Sequence, residues 1–481
     1  MGLKSKSVAK NAILNVIKQI CVIIFPMITF PYASRVLGVE NFGKFNFGLS
    51  LVSYISIIAA LGASNYAIRE GSRIKEDKKK LNNFVNEIFT LNLISTIFAY
   101  LILVILLIFW KKLDNYLILI LVQSTVIIFT TLGIDWINSI KEDYFYITLR
   151  YIVCQLISLI LMFIFVNEPS DYIVYAFVNA SATILANISN FYYVKTQYNI
   201  KLRFTSLNRT FKHFTPVFIM FGSALATVIY INSDILLLGI LKSDVEVGYY
   251  SVSVKVYSLV KQVINAIMVV MIPRISFELS KNNQNAIKTM LKNLQNLIFL
   301  ITLPMISGLF CLSPQIIELF AGKSYIYGTS SLQILSFSLF FAVFANYFVN
   351  VILIPYKREK YFLIGTIISA LLNILLNIIL IPTMGVNAAS ISTVLSELVL
   401  AFIAAYYCRD IIIIKWTKEL NIGIITSIFI FFINKLITHF IKLNFIIILS
   451  TILFSVLFFC ILILFQFRDK LNDISYFRKK F

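Results

Sequence analysis

Long apolar runs recur along this whole chain. A helix needs about 20 such residues to cross the hydrocarbon core of a bilayer, which is about 30 Å thick. About fourteen transmembrane helices are therefore predicted, at residues 12–34, 45–67, 84–110, 115–138, 146–166, 172–194, 214–241, 249–272, 292–312, 329–354, 361–381, 386–407, 420–440 and 444–466. The expected fold is an all-α polytopic membrane protein, because helices satisfy their own backbone hydrogen bonds in lipid.

The composition excludes a water-soluble protein. Of the 481 residues 59% are hydrophobic and only 13% are charged, whereas charged residues make up about a quarter of a soluble domain. The 42 Lys and Arg residues give a net charge of +20, and most of them fall in loops on one side of the predicted membrane. Since basic loops stay in the cytoplasm, both termini are predicted to be cytoplasmic. This charge distribution does not call for a nucleic-acid partner.

A polar elbow between the first two apolar runs, residues 31–47, recurs in weaker form at residues 244–250. Residues 39–45 match residues 244–250 at an offset of 205, which also places Arg69 on Arg274. Residues 141–145 match 358–362 at an offset of 217, and residues 192–193 match 406–407 at 214. Matches that keep one order along the chain indicate a duplicated half of roughly 200 residues.

Polar residues repeat at helical spacing inside the first, seventh, eighth and eleventh predicted spans. Steps of three and four place them on one face of each helix, and lipid offers that face no hydrogen-bond partner. The four helices are therefore expected to line one polar cavity. The candidate substrate-binding residues are Asn15, Lys18, Thr29, Ser223, Asp234, Lys255, Gln262, Asn373 and Asn377. For Ser, Thr and Asn the alternative is ordinary hydrogen bonding between neighbouring helices.

Charged residues inside the spans carry the most specific signal. A charge at mid-membrane costs at least about 2.5–3.5 kcal/mol on insertion scales, so Lys18 and Lys255 predict a cavity that attracts anions. The alternative is that both lysines snorkel to the nearer membrane surface. Asp135, Asp234 and Glu397 either pair with these lysines or carry a coupling ion, proton or sodium, and the sequence leaves both interpretations open.

Motifs typical of enzymes and cofactor sites do not occur in the sequence. The five cysteines fall in apolar runs without paired spacing, so neither a disulfide framework nor a metal site is predicted, and no cofactor is expected. A membrane-embedded glycosyltransferase or polysaccharide polymerase would need a catalytic loop with acidic or metal-binding groups. The sequence contains no Asp-x-Asp motif, no His-Glu-x-x-His motif and no substantial outer loop between the predicted spans. The chain is predicted not to be an enzyme.

An ordered set of short motifs resembles the oligosaccharide flippases of the multidrug/oligosaccharidyl-lipid/polysaccharide exporter (MOP) superfamily, the group often called Wzx. One departure is visible at residues 139–142, where the family often has Gly-x-Glu. The motifs are, in order, Pro31-Tyr32, Arg35-Val36-Leu37-Gly38 with Glu40 and Gly43, Leu61-Gly62, Ile68-Arg69-Glu70, Asp135-Trp136, Glu142 to Thr148 with Arg150, Asp234 with Gly239, Ile272-Pro273-Arg274, and Ile381-Pro382 with Gly385, Ala388-Ala389 and Glu397.

The resemblance implies two six-helix lobes, residues 1–200 and 201–410, related by a pseudo-two-fold axis along the membrane normal. Residues 411–481 would then form two additional helices and a basic cytoplasmic tail. Parallel repeats of this kind place a substrate site between the lobes. Arg35, Arg69 and Arg274 are expected to be gate residues, although simple anchoring of the topology is the alternative for Arg69 and Arg274.

The implied function is a flippase of the bacterial cytoplasmic (inner) membrane, working by alternating access. It would move polyprenyl-diphosphate-linked oligosaccharide repeat units to the outer leaflet for O-antigen or capsule assembly. The expected partners are an undecaprenyl-diphosphate-linked glycan and the lipid bilayer, with a polysaccharide polymerase and chain-length machinery as further candidates, and the chain is expected to act as a monomer. Two rivals from the same superfamily are a lipid II flippase and a multidrug exporter, which needs acidic groups to bind cationic drugs.

Overall fold

The computed structural model describes residues 8–281, 283–412 and 415–466, and these are helical apart from short connections. This confirms the predicted all-α fold. The α-helices are α1 Val8–Ala60, α2 Ala63–Arg73, α3 Lys78–Phe109, α4 Leu117–Gly133, α5 Trp136–Ile140, α6 Tyr144–Phe165, α7 Tyr172–Gln197, α8 Leu207–Phe211, α9 Phe214–Leu241, α10 Asp244–Ser280, α11 Gln284–Cys311, α12 Ser313–Ala321, α13 Thr329–Asn346, α14 Glu359–Met384, α15 Val386–Cys408, α16 Lys418–Phe440 and α17 Asn444–Gln466.

Twelve segments of the described chain are long and apolar enough to cross a membrane. The first of these, Leu14–Arg73, has 60 residues and covers nearly all of the first predicted span and the whole of the second. Helix α10 has 37 residues and contains the predicted eighth span, although it is not among the twelve. With α10 added and the first segment counted as two spans, the helices correspond to the fourteen predicted spans. The chain is a multi-pass membrane protein.

The predicted polar elbow is a break of one residue within α1. This helix has 53 residues and non-helical dihedrals at Gly38, with φ 70° and ψ 174°. Glycine reaches positive φ without a steric penalty because it lacks Cβ. A straight helix of this length would measure about 80 Å at 1.5 Å per residue, far more than a bilayer. The sequence-based view of residues 31–47 as a loop is therefore corrected, since helix continues on both sides of Gly38.

The chain divides into two compact units, Met1–Gly248 and Tyr249–Phe481. Helix α9, which the sequence assigns to the second lobe, lies in the first unit. There Ser50 on α1 donates a hydrogen bond to the Asn232 carbonyl oxygen on α9, at 3.0 Å. The lobe boundaries predicted at residues 200 and 410 stay a prediction.

Each unit has its own buried apolar core. In the first unit the core joins α2, α3 and α5, and in the second it joins α10, α11, α15 and a π-helical stretch, Tyr347–Leu353, that follows α13. Large apolar side chains outside these cores remain exposed along α3, α6 and α17. Such surfaces suit contact with lipid, where an exposed apolar side chain carries no hydrophobic penalty.

Each unit also contains a pair of stacked tyrosines. In the first unit the rings of Tyr146 on α6 and Tyr193 on α7 lie 3.6 Å apart, with an angle of 7° between their planes. In the second unit Tyr361 on α14 and Tyr407 on α15 lie 3.9 Å apart at 16°. The same contact thus joins corresponding pairs of helices, which supports the internal duplication.

The residues that precede these helices fix the register of the duplication. Glu142 and Lys357 both have left-handed backbones, with φ of 54° and 58°. Their separation along the chain equals that of the stacked Tyr146 and Tyr361. The sequence match of residues 141–145 with 358–362 is therefore two positions out of register, because it paired Tyr361 with a neighbouring tyrosine.

Opposite charges occupy one position of this repeat. Asp143 accepts a hydrogen bond from the Tyr193 hydroxyl at 2.7 Å. At its counterpart in the second unit, Arg358 donates to the Tyr407 carbonyl oxygen at 2.8 Å and to both carboxylate oxygens of Asp410, at 2.8 and 2.6 Å. Through these bonds Arg358 holds the pKa of Asp410 below its usual value.

Candidate functional site

A cavity of about 160 Å³ lies inside the first unit, with walls from α1, α6 and α7. Its charged lining residues are Lys18, Asp135 and Arg150. Arg150 is largely buried, with 8% of its side chain exposed, and its Nη2 donates a hydrogen bond to Asp135 Oδ1. The Nε and Nη1 atoms of Arg150 have no hydrogen-bond partner among the described residues. The guanidinium therefore has donors to spare inside the cavity.

Lys18 brings a second positive charge to this cavity from α1. Its Nζ lies 5.9 Å from the centre of the Tyr151 ring, and within the described chain it makes no ion pair with an acidic side chain. The Arg150 guanidinium lies 5.3 Å from the centre of the Tyr146 ring. Aromatic faces stabilise both cations without neutralising them. Two positive charges against the one carboxylate of Asp135 leave the cavity net positive.

The other predicted residues of the first unit occupy varied surroundings. Asn15 is exposed, Thr29 is partly buried, and Asp234 on α9 is buried with 4% of its surface exposed. Ser223 lies outside the residues whose side chains are described. Of the predicted set in this unit, Lys18 is the residue that the structure brings into the charged cavity.

The second unit holds the remaining candidate binding residues. Lys255 on α10 is partly buried, and Gln262 on the same helix is exposed. Asn373 and Asn377 are buried on α14, where Asn377 Nδ2 donates to Asn373 Oδ1 at 3.0 Å. A single polar cavity lined by all four predicted helices would combine residues of both units, and it stays a prediction.

A partly buried ion pair also lies in the second unit. Lys261 Nζ on α10 is 3.4 Å from a carboxylate oxygen of Glu397 on α15, and it lies 5.0 Å from the centre of the Tyr257 ring. The Tyr257 hydroxyl in turn contacts Ser338 Oγ at 3.2 Å. Two of the acids predicted within spans, Asp135 and Glu397, thus pair with Arg150 and Lys261, whereas the sequence offered Lys18 and Lys255 as partners.

The three candidate gate arginines are exposed. Arg69 donates a hydrogen bond to the neighbouring Glu70 at 3.0 Å, and its guanidinium lies 5.8 Å from the centre of the Tyr66 ring. Exposure leaves Arg35, Arg69 and Arg274 accessible for gating or for anchoring, so the predicted gate role of each stays a prediction.

Close backbone packing joins the two elbows within the first unit. A Cβ atom at Gly43 would overlap the carbonyl oxygen of Asp244, and one at Gly248 would overlap the carbonyl oxygen of Val39. Only glycine allows backbones to approach this closely. The nearby end of α9 is tied to the turn after α3 by Lys112, whose Nζ donates to the carbonyl oxygens of residues 239 and 240 at 2.5 and 2.8 Å.

A buried polar network fixes the beginning of α9. His213 Nε2 lies 2.9 Å from a carboxylate oxygen of Glu87 on α3, and His213 Nδ1 lies 2.8 Å from the Tyr66 hydroxyl on α2. Lys212 Nζ is also 2.9 Å from Glu87. This network, Tyr66, Glu87, Lys212 and His213, connects three helices and balances the buried carboxylate with nearby positive charge.

Arg150 and Lys261 are not among the residues that the sequence predicts to bind substrate. Both lie within predicted spans, but neither belongs to the polar helix faces of the first, seventh, eighth and eleventh spans. Their position in apolar runs was the available signal, because the cost of a buried charge demands a partner or a role.

The sequence of this chain is similar to those of known protein families. The sequence profile of the family described as "Polysaccharide biosynthesis protein" matches residues 8–277, more than half of the chain, and that of the family described as "MatE" matches residues 219–379. A protein of Escherichia coli (strain K12) named "Putative O-antigen transporter" is 23% identical over 367 residues, which cover 75% of this chain and 87% of that relative.

Solved structures share the fold. A structure of "Lipid II flippase MurJ, inward closed conformation" aligns with 96% of this chain and 100% of its own, at a TM-score of 0.74 and 20% identity. An inward-facing multidrug resistance MATE family transporter of the MOP superfamily aligns with 82% of this chain and 97% of its own, at a TM-score of 0.63 and 16% identity. These solved structures show a shared fold, and the profile match over more than half of the chain shows that the chain belongs to the polysaccharide biosynthesis protein family.

Proposed function

We propose that this protein is a flippase for polyprenyl-diphosphate-linked oligosaccharide repeat units. It moves them from the inner to the outer leaflet of the bacterial cytoplasmic membrane, by alternating access, for assembly of a surface polysaccharide. The family match and the name of the Escherichia coli relative support a role in O-antigen transport. The substrate is an undecaprenyl-diphosphate-linked glycan, and both termini of the protein lie in the cytoplasm.

The main support for this proposal is the excess of positive charge inside the membrane-spanning helices. Lys18 and Arg150 face one cavity with a single carboxylate, and Lys255 on α10 makes no ion pair among the described residues. Retaining such cations within a membrane has a free-energy cost, which attraction to an anionic substrate explains. The diphosphate of a lipid-linked sugar supplies that anion, while its hydrocarbon tail stays in the bilayer.

A multidrug exporter fits the charges less well. Binding cationic drugs requires acidic groups that are available in the cavity, but Asp135 and Glu397 are each engaged by a basic side chain, Arg150 and Lys261. A lipid II flippase remains a second candidate, because lipid II is also an anionic lipid-linked sugar and the charge of the cavity does not distinguish the two substrates. The TM-score of 0.74 to MurJ shows a shared fold.

The packing of the two elbows supports alternating access. By the predicted topology the elbows lie at the outer face, so their contact closes the outer ends of the helices that they connect. Separation of Gly43 from Asp244 would open that end. Arg35 at the outer face and Arg69 and Arg274 at the inner face are proposed to guide the anionic headgroup, and the protein is proposed to act as a monomer.

Export of surface glycan in a deletion strain tests the proposal. The wild-type gene should restore the surface polysaccharide, whereas a gene carrying Lys18→Glu and Lys255→Glu should insert normally and fail to restore it. A matched control, Lys435→Glu, changes an exposed lysine near the end of α16 and should restore export. Normal surface glycan with the double variant would overturn the role of the cations.

A further inference from the structure

We propose that Lys18 and Arg150 form a binding site for a single phosphate group within the first unit. Arg150 belongs to one of the motifs of the sequence but not to the candidate binding residues, and its donors are the main evidence for the site. Its guanidinium carries five N–H donors and no acceptor. One nitrogen is engaged by Asp135, and Nε and Nη1 lack partners in the described part of the chain.

Buried donors of this kind call for a partner. Leaving a buried polar group unsatisfied costs about 1–3 kcal/mol, and more when the group is charged. The Asp135 carboxylate accepts from Arg150 and from Asn138 Nδ2, the latter at 3.2 Å, through one and the same oxygen, Oδ1. An oxyanion brings several acceptor oxygens at once and satisfies these donors together.

The charge balance favours an anion over water. Lys18 and Arg150 contribute two positive charges and Asp135 contributes one negative charge, so a neutral water molecule would leave the cavity with an excess positive charge. Gln155 and Asn187, which also line the cavity, add polar groups around the same space. Hydrogen bonds between a guanidinium or ammonium group and phosphate are among the strong, charge-assisted kind.

The volume is sufficient for a small anion. A cavity of about 160 Å³ far exceeds the roughly 10–15 Å³ that one water molecule needs on the same measure. This space accommodates one tetrahedral oxyanion, and we expect the rest of a lipid-linked glycan to lie outside the cavity.

Two sources of the phosphate group share this chemistry, the diphosphate of the transported lipid and free inorganic phosphate. The inference that the phosphate group belongs to the transported lipid rests on the proposed function, whereas the inference that the site binds phosphate does not. Either inference can therefore be contradicted without the other.

Titration calorimetry of the purified full chain in detergent tests the site, with inorganic phosphate as the probe. Wild-type protein should bind phosphate, and Arg150→Gln and Lys18→Gln should each weaken binding at least about tenfold. Arg150→Lys retains a positive charge near Asp135 and should weaken binding less, which separates loss of the site from loss of folding. The control Lys435→Gln should bind as wild type does. Thermal unfolding of each variant shows whether it is folded.

Competition by farnesyl diphosphate identifies the source. If it displaces phosphate from wild-type protein, the site accepts the prenyl diphosphate of the transported lipid. If phosphate binds and farnesyl diphosphate does not displace it, the site exists and takes free phosphate. Absence of phosphate binding to wild-type protein, or equal binding by folded Arg150→Gln, would overturn the proposal even if the protein flips lipid-linked glycan.

Discussion

Gly43 and Gly248 form the two halves of a reciprocal contact in the first unit. Each glycine faces the backbone carbonyl oxygen of the opposite elbow, Asp244 for Gly43 and Val39 for Gly248. An offset of 205 residues relates Gly43 to Gly248, and the same offset relates Val39 to Asp244. Reciprocal contacts of this kind are typical of two-fold symmetry. The two elbows that match in the sequence therefore also contact each other within the first unit.

Substitution of Gly248 by alanine should disrupt this contact. The added methyl group meets the Val39 carbonyl, and overpacking of this kind costs about 1–3 kcal/mol. The expected result is a lower unfolding temperature of the purified protein. Gly308→Ala is the matched control, since a Cβ at this position of α11 meets no described atom within 4 Å. Equal unfolding temperatures for Gly248→Ala and Gly308→Ala would show that the elbows are not tightly packed.

The stacked tyrosines of the second unit should be energetically coupled. Stacked aromatic pairs contribute about 0.5–1.5 kcal/mol beyond their buried area. A double-mutant cycle of Tyr361→Ala and Tyr407→Ala should therefore give a coupling free energy of that size in chemical unfolding. A cycle of Tyr361→Ala with Phe440→Ala, an exposed residue on α16, should give none. Coupling near zero in the first cycle would contradict the stacking.

The two histidines of the chain offer a matched comparison. His213→Ala removes two contacts from the buried network around Glu87, and an unsatisfied buried group costs about 1–3 kcal/mol. His439 is exposed near the end of α16, so His439→Ala should leave stability unchanged. Thermal unfolding in detergent separates the two variants. If both unfold at the wild-type temperature, the network does not hold the beginning of α9.

The ion pair of Arg358 and Asp410 should stabilise the protein in a pH-dependent way. Because Arg358 lowers the pKa of Asp410 in the folded state, this contribution is complete above the unfolded-state pKa of about 3.9. It is lost as the pH falls through the lower, folded-state pKa. Both side chains are partly exposed, so the expected size is about 0.2–1 kcal/mol.

Asp410→Asn measures this effect. The variant should unfold at a slightly lower temperature than wild type at neutral pH, and the difference should shrink as the pH is lowered below about 4. A difference that stays constant through the acidic range would mean that the carboxylate charge is not responsible.

Most of the fold was predictable because the bilayer sets a simple length rule. Apolar runs long enough to cross it locate the spans in the sequence, and the structure has helices at all of them in the described ranges. The sequence showed that the elbow is repeated, but it did not show that the elbow is a break of one residue in a helix. Whether the chain bends at Gly38 or forms a loop depends on its dihedral angles, which the sequence does not give. The offset at Tyr361 was wrong by two positions because Tyr144 and Tyr146 are close together in the sequence, and the match paired Tyr361 with Tyr144.

The candidate site was less predictable, because helical periodicity shows which residues share a face but not which helix that face meets. Lys18 was predicted to bind substrate because it lies on the polar face of the first predicted span. Its neighbour Arg150 lies on α6, far along the chain from α1, and no local pattern connects the two. Asp135 was recognised as an acid within a span, while its pairing with Arg150 depends on how α6 packs beside the junction of α4 and α5.

We propose above that this protein moves a lipid-linked oligosaccharide across a bilayer. The most direct measurement reconstitutes the purified protein into vesicles that carry a labelled polyprenyl-diphosphate oligosaccharide in both leaflets, and then adds a glycosidase that cannot cross the membrane. Vesicles without protein should lose about half of the label, and vesicles with the protein should lose nearly all of it as the inner pool reaches the outer leaflet. Loss of only half the label with the protein present would contradict the claim.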